Sequence, residues 1–91
     1  MAPKNVSEAY LKERQRVGAT LRRIRLLRGW KLGEFANQIP ISYAYLSNIE
    51  AGRKALPDRL LARCAQILEV EQIDIKHPDR EAVVDAMAAN Q

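Results

Sequence analysis

Ser42, Tyr43, Ala44 and Asn48, followed closely by Arg53 and Lys54, are the residues of this sequence whose types and spacing could do chemistry. An asparagine amide can pair two-pronged with adenine N6 and N7, and an alanine methyl can pack on the methyl of thymine. A serine or tyrosine hydroxyl can bond a base edge or lie along a nucleic-acid backbone. Arg53 and Lys54 are cations of the kind that grip phosphate. The stretch Ile41–Gly52 reads as the rod that carries them. Ser42 can cap a helix by offering its hydroxyl to the unpaired N–H groups of the first turn. Leu46 and Ile49 then fall on one face, Tyr43, Ala44 and Asn48 point elsewhere, and Gly52 supplies a left-handed ending. A short capped helix with a small or polar outer face and a basic exit suits the major groove of double-stranded DNA. Its first turn can meet base edges while the cations hold phosphates alongside.

Such a rod needs a scaffold behind it. Residues 1–6 read as a flexible arm, and a helical pattern begins at Ser7, a candidate cap. Val17, Leu21 and Ile24, at i, i+4 and i+7, mark its buried face, and Gly29 ends it. Gly18 lies inside this pattern, where an exposed glycine would be about 1 kcal/mol worse than alanine; close approach of another helix is its expected use. Lys31 to Ile39 predicts a short second helix with Leu32, Phe35, Ala36 and Ile39 inward. Pro40 then disfavours helical geometry at Ile39 and forces a turn.

After the reading helix at about 42–51 and a basic loop at 53–56, Pro57 and Asp58 suit the first turn of a fourth helix. Its buried face is Leu60, Leu61, Cys64, Ala65 and Leu68. Val70, Ile73 and Ile75 suggest a short fifth turn or helix, and Pro78 opens a last one at about 79–89 carrying Ala82, Val83, Ala86 and Met87. No repeat, low-complexity tract or strand-like alternation appears. The pattern predicts an all-α fold, with a compact five-helix domain over residues 7–75 and a C-terminal helical extension over 76–91.

The totals agree. Ninety-one residues make one domain, and the 47% hydrophobic share leans on thirteen alanines with only 5% aromatics, as in small helical proteins. No run approaches the roughly 18 apolar residues of a membrane span, so no membrane partner is expected, and Met1–Asn5 lacks the apolar core of a secretory signal. Cys64 stands alone, which excludes an internal disulfide and fits a reducing cytoplasm. Charge tells more by position than by sum: residues 1–63 hold 13 Lys/Arg against 5 Asp/Glu, a balance of +8, whereas residues 64–91 hold 2 against 6, a balance of −4. Between Lys12 and Lys31 there are eight basic residues and one acid, Glu13. A run of this kind alone makes a solvated helix face; beside the capped helix and its Arg53-Lys54 exit it becomes the footprint of a polyanion.

With Gly29-Trp30-Lys31-Leu32-Gly33-Glu34-Phe35-Ala36, a turn, and Ile41-Ser42, Leu46-Ser47, Ile49-Glu50 and Gly52 in order, the chain resembles the phage-repressor/XRE-type (Cro/C1-like) helix-turn-helix family from about Val17 to Ile75. Val17-Gly18, Leu21 and Ile24-Arg25 resemble that family's first helix, and Leu61, Ala65, Leu68 and Val70 its fourth. The resemblance implies that Phe35-Ala36 packs the second helix on the third, and that Arg25 pairs with Glu50 as a structural ion pair. Both charges sit beside core positions, where an unpaired one would be costly. Three departures from the family stand out. Lys31 and Leu32 stand where Ser or Thr and then Gln are usual, Pro40 stands where the turn commonly has Gly, and Glu69 where the fourth helix commonly ends in Gly.

The reading is thus a sequence-specific transcriptional regulator, a repressor acting as a homodimer on two half-sites. Ser42, Tyr43, Ala44 and Asn48 are its candidate base readers; Lys31, Arg53, Lys54 and Tyr45 its candidate phosphate contacts, with Arg22, Arg23 or Arg28 adding to the field. Two roles are open for Tyr45, packing at the helix two–three junction or touching phosphate, and Ser47 is expected to face inward. The last helix, with Val83, Ala86 and Met87, either forms the dimer surface or folds over its own core; the long helix at Tyr10–Arg28 is another candidate for self-association. A protein-interaction module of the same fold, such as an antitoxin or transcription adaptor with a protein partner, is the alternative. No cofactor is expected, nor an enzyme: His77 is the only histidine, Cys64 lies on an apolar face, and the two lack a metal-site spacing. Action on DNA implies the cytoplasm of a bacterial or phage-infected cell.

Overall fold

A computed structural model describes residues 3–76, with side chains from residue 8 onward. Five helices follow one another: α1 (Pro3–Leu27), α2 (Leu32–Gln38), α3 (Tyr43–Glu50), α4 (Asp58–Leu68) and α5 (Gln72–Lys76). The α3 rod lies against both α1 and α2, and α5 closes the other side of the domain against α1 and α4. Phe35, Leu21, Leu46, Ile49, Leu68, Ile75 and Cys64 are the largest fully buried side chains, and they form one contiguous core drawn from all five helices. The helix expected at 79–89, with Val83, Ala86 and Met87, and His77 lie outside the described residues.

Gly18 sets the spacing between α1 and α3. A Cβ there would collide with the Ile49 carbonyl oxygen and stand 2.9 Å from that of Glu50, both backbone atoms of α3. Only a residue without a side chain lets the two backbones approach this closely.

Helix ends follow one design three times. In α1 the Trp30 N–H bonds the Arg25 carbonyl at 3.0 Å and the Gly29 N–H bonds that of Leu26 at 3.0 Å, with Gly29 left-handed at φ 82°. This 6→1, 5→2 pair of bonds is a Schellman ending, which satisfies carbonyls that the helix leaves unpaired. In α4 the same bonds run from Val70 to Ala65 (3.0 Å) and from Glu69 to Gln66 (3.3 Å). Glu69 takes the left-handed angles itself, φ 60° and ψ 46°, where the related pattern uses glycine. A non-glycine residue there carries the close contact of its Cβ with the following carbonyl, about 1 kcal/mol or more.

Two local expectations are corrected. The first helix starts at Pro3, so Pro3–Val6 is helical and Ser7 lies within α1 rather than capping it. Proline is tolerated in a first turn because its missing N–H would be unpaired in any case, and once a helix is nucleated each added residue gains a bond at little cost. Ile39 keeps right-handed helical angles (φ −62°, ψ −43°) although Pro40 follows, and its N–H bonds the Phe35 carbonyl at 3.1 Å. Burying the Ile39 side chain, 3% exposed, outweighs the local preference against helical geometry before proline. At the other end of α2, Lys31 stands at the N-cap and has no acceptor to offer. Glu34 instead receives the Lys31 N–H, at a long 3.5 Å.

Cys64 is fully buried and its thiol is pushed up from 9.0 to about 12, first by desolvation and then by the nearby Glu50 carboxylate. Reactive cysteines are thiolates in partly exposed, electropositive surroundings; this one is packing.

Candidate nucleic-acid interface

The start of α3 is built by Ser42. In extended geometry (φ −71°, ψ 154°), its Oγ accepts the Tyr45 N–H at 3.0 Å and its carbonyl accepts the Leu46 N–H at 3.1 Å. From that cap the helix turns Leu46, Ile49 and Glu50 inward, all buried. Tyr43, 62% exposed, and Ala44 face solvent, and Asn48, one turn beyond Ala44, is half-buried at the edge of the same face. The four expected base readers are therefore together on one accessible surface. Tyr43 leans toward α2, since a Cβ on Gly33 would lie 3.8 Å from its ring.

The inward face is held by charge as well as by apolar packing. Arg25 Nε donates to Glu50 Oε2 at 2.6 Å and its Nη2 donates to Glu50 Oε1 at 2.9 Å, while Nη1 donates to the Trp30 carbonyl at 2.7 Å. Both side chains are only about a twentieth exposed, at 6% and 5%. The two-pronged arrangement satisfies both carboxylate oxygens, and the Trp30 bond occupies another face of the guanidinium. It fixes the last turn of α3 to the end of α1 and to the entry of α2. Arg22 lines a shallow depression beside this pair with Leu32, Ser47 and Ala51, which puts it next to the reading helix. Arg28 turns away, donating to the Glu69 carbonyl at 3.4 Å.

At its far end α3 closes with the Schellman pair already seen in α1. Gly52 (φ 81°) donates to the Ile49 carbonyl at 3.0 Å and Arg53 to the Asn48 carbonyl at 2.8 Å; the Lys54 N–H reaches the same oxygen at 3.1 Å. Glycine is required twice over at Gly52, for its left-handed angle and because a Cβ would meet Gln15 Cγ at 2.5 Å and Gln15 Cα at 2.8 Å. Arg14 Nε donates to the Gly52 carbonyl at 2.7 Å and its guanidinium lies 5.5 Å from the Tyr10 ring centre, so α1 also steadies this turn. Arg53 and Lys54 leave it exposed, as is Lys31 at the start of α2. Tyr45 is half-buried and packs against the core.

Residues 16–77 match the family described as a helix-turn-helix domain. The chain belongs to the helix-turn-helix domain family. It is similar to the clp gene regulator ClgR from Corynebacterium glutamicum in two crystal structures. One is 36% identical over 69% of this chain and 82% of that one, with a TM-score of 0.66. The other is 32% identical over 85% and 84%, with a TM-score of 0.69. No curated protein matches the chain. The likeness is thus to ClgR-type regulators of the helix-turn-helix class, and not specifically to Cro/C1-like phage repressors. This helix-turn-helix protein is a sequence-specific DNA-binding transcriptional regulator, and members of its family are non-catalytic. No helix among the described residues is long and apolar enough to cross a membrane.

One contact at this surface is absent from the sequence reading. Arg53 Nε donates to Asn48 Oδ1 at 2.7 Å. A Schellman ending sets the second residue after the cap beside the third residue from the helix end, here Arg53 beside Asn48. The signal was therefore present in the position of Gly52. The adenine pairing expected of Asn48 needs that same Oδ1, which in the free protein already accepts from Arg53.

Proposed function

We propose that this regulator is a repressor that inserts α3 into the major groove and binds as a homodimer on a two-half-site operator. Ser42, Tyr43, Ala44 and Asn48 meet base edges. Lys31, Arg53 and Lys54 hold phosphates on either side, with Arg22 adding to the field and Tyr45 acting chiefly by packing. The observation that carries this reading is the division of α3 into two faces. Leu46, Ile49 and Glu50 anchor it, while Tyr43 and Ala44 stand clear of the domain between two basic stretches.

Two copies follow from interface size. One eight-residue helix with its flanking cations gives the modest contact of a single module, and tight specific binding by such modules uses two half-sites about one helical turn apart. Occupying a promoter in this way excludes polymerase, hence repression. Work on DNA puts the protein with the nucleoid in the cytoplasm. That the similar ClgR is a gene regulator supports the same class of action.

Selection of bound sequences from a random oligonucleotide pool, followed by binding at two salt concentrations and transcription from a promoter carrying the selected site, tests the proposal. An enriched site with twofold symmetry, salt-sensitive binding and reduced transcript are expected. No enriched sequence and no salt-sensitive binding would favour a module whose partner is another protein.

A further inference from the structure

Asn48 is a base-reading candidate whose side-chain carbonyl is already engaged, as the Ser42 hydroxyl is by its cap. Arginine has donors only, so the Asn48 atom facing Arg53 Nε at 2.7 Å must be the carbonyl Oδ1, and the amide Nδ2 is directed elsewhere. The bond is charge-assisted and short. It also rests on a fixed backbone: the Asn48 carbonyl takes the N–H groups of both Arg53 and Lys54 (2.8 and 3.1 Å), and Arg14 pins the Gly52 carbonyl that precedes them. Arg53 is therefore held over Asn48 before any ligand arrives.

From this geometry we infer that Arg53 is a specificity-determining residue, which makes Asn48 a donor-only reader and selects guanine over adenine at the base pair it meets. The major-groove edge of guanine offers two adjacent acceptors, N7 and O6, whereas adenine offers one acceptor and one donor, thymine a single acceptor and cytosine a donor. With Oδ1 taken, Asn48 turns its two Nδ2 hydrogens outward, and those match guanine. Oδ1 keeps a second lone pair, but an adenine N6 amino group approaching it would stand beside the guanidinium, donor against donor. Arg53 Nη1 and Nη2 remain available for phosphate, so one side chain both positions the reader and adds charge.

The inference rests on α3 being the reading helix, and its test separates the two. In a site selected from a random pool, all four base pairs are installed at each position and binding is measured for the wild type and for N48A, R53M and R53K. The position at which N48A loses preference is the one this side chain reads. The wild type is expected to prefer guanine there, and R53M to shift toward adenine, with the guanine-to-adenine affinity ratio falling by about 5- to 150-fold, the range for one good base contact. R53K keeps both the charge and a donor able to occupy Oδ1, so it should retain the wild-type salt dependence and the guanine preference. Thermal midpoints of all three should stay close to the wild type, since the bond they alter is exposed to solvent. Adenine preferred by the wild type, or guanine preference intact in R53M, would overturn the inference and leave the DNA-reading proposal standing. Failure to enrich any sequence would overturn both.

Discussion

The two faces of α3 are made of similar material and do opposite work. The inner face, Leu46, Ile49 and Glu50, is closed by Gly18 and by an arginine that uses three of its nitrogens. The outer face, Tyr43, Ala44 and Asn48, is held by its own cap at Ser42, by the turn at Gly52 and by the Arg53 bond to Asn48. Eight residues are enough for both tasks because the helix period keeps them apart. The difference teaches that stability and recognition here should be separable by substitution, although hardly a residue lies between them.

Glu50→Ala should be the most damaging break. It leaves the Arg25 guanidinium buried without its carboxylate, and removing one partner of a buried pair costs about 3–5 kcal/mol. Denaturant unfolding should show it as a large fall in midpoint, with DNA binding lost only as the folded fraction is lost. Gly18→Ala comes next. The methyl would meet immovable backbone oxygens, so the upper end of the overpacking range, about 3 kcal/mol, is expected; unchanged stability would mean that α1 and α3 do not cross as described.

Ser42→Ala sharpens the comparison from the other side. Loss of the cap to the Tyr45 N–H should lower stability by about 1 kcal/mol, and affinity for a selected operator should fall further than that loss of folding explains. Lys54→Ala should leave the unfolding midpoint where it was, because only the backbone of Lys54 bonds the rest of the domain. Its effect is on DNA alone: weaker binding to all sequences alike, and a salt dependence shallower by about one counterion. A Lys54→Ala protein with altered base preference would erase the distinction between readers and grippers.

Much of the inner face is legible in the sequence. Val17, Leu21 and Ile24 keep the spacing of a buried stripe, Gly18 marks the crossing, and the five buried positions of α4 repeat at helical intervals. Periodicity reports such positions because burial is a property of whole faces. The helix nonetheless starts at Pro3, well before the Val17, Leu21 and Ile24 stripe, and no pattern of apolar residues announces that start. Arginine contacts to distant carbonyls are equally silent: Arg14 to Gly52, and Arg63 to Gln38 at 3.0 and 3.3 Å, depend on where two separate chain segments finally lie. Asn48 with Arg53 is a middle case. The five-residue offset across a helix-ending glycine is visible in the sequence, but reading it requires treating the turn as a device that pairs side chains rather than as a stop.

The sealed thiol at Cys64 gives the domain a built-in clock. Alkylating reagents attack thiolate, and with ionisation pushed up to about 12 the folded protein offers almost none at pH 8. Labelling then proceeds only through opened states, and its rate reports how much of the protein is open, or how often it opens where the reagent outpaces reclosing. Because the folded thiol ionises later than the unfolded one at 9.0, the fold keeps this share of its stability below about pH 9 and sheds it as alkali carries the solution toward 12.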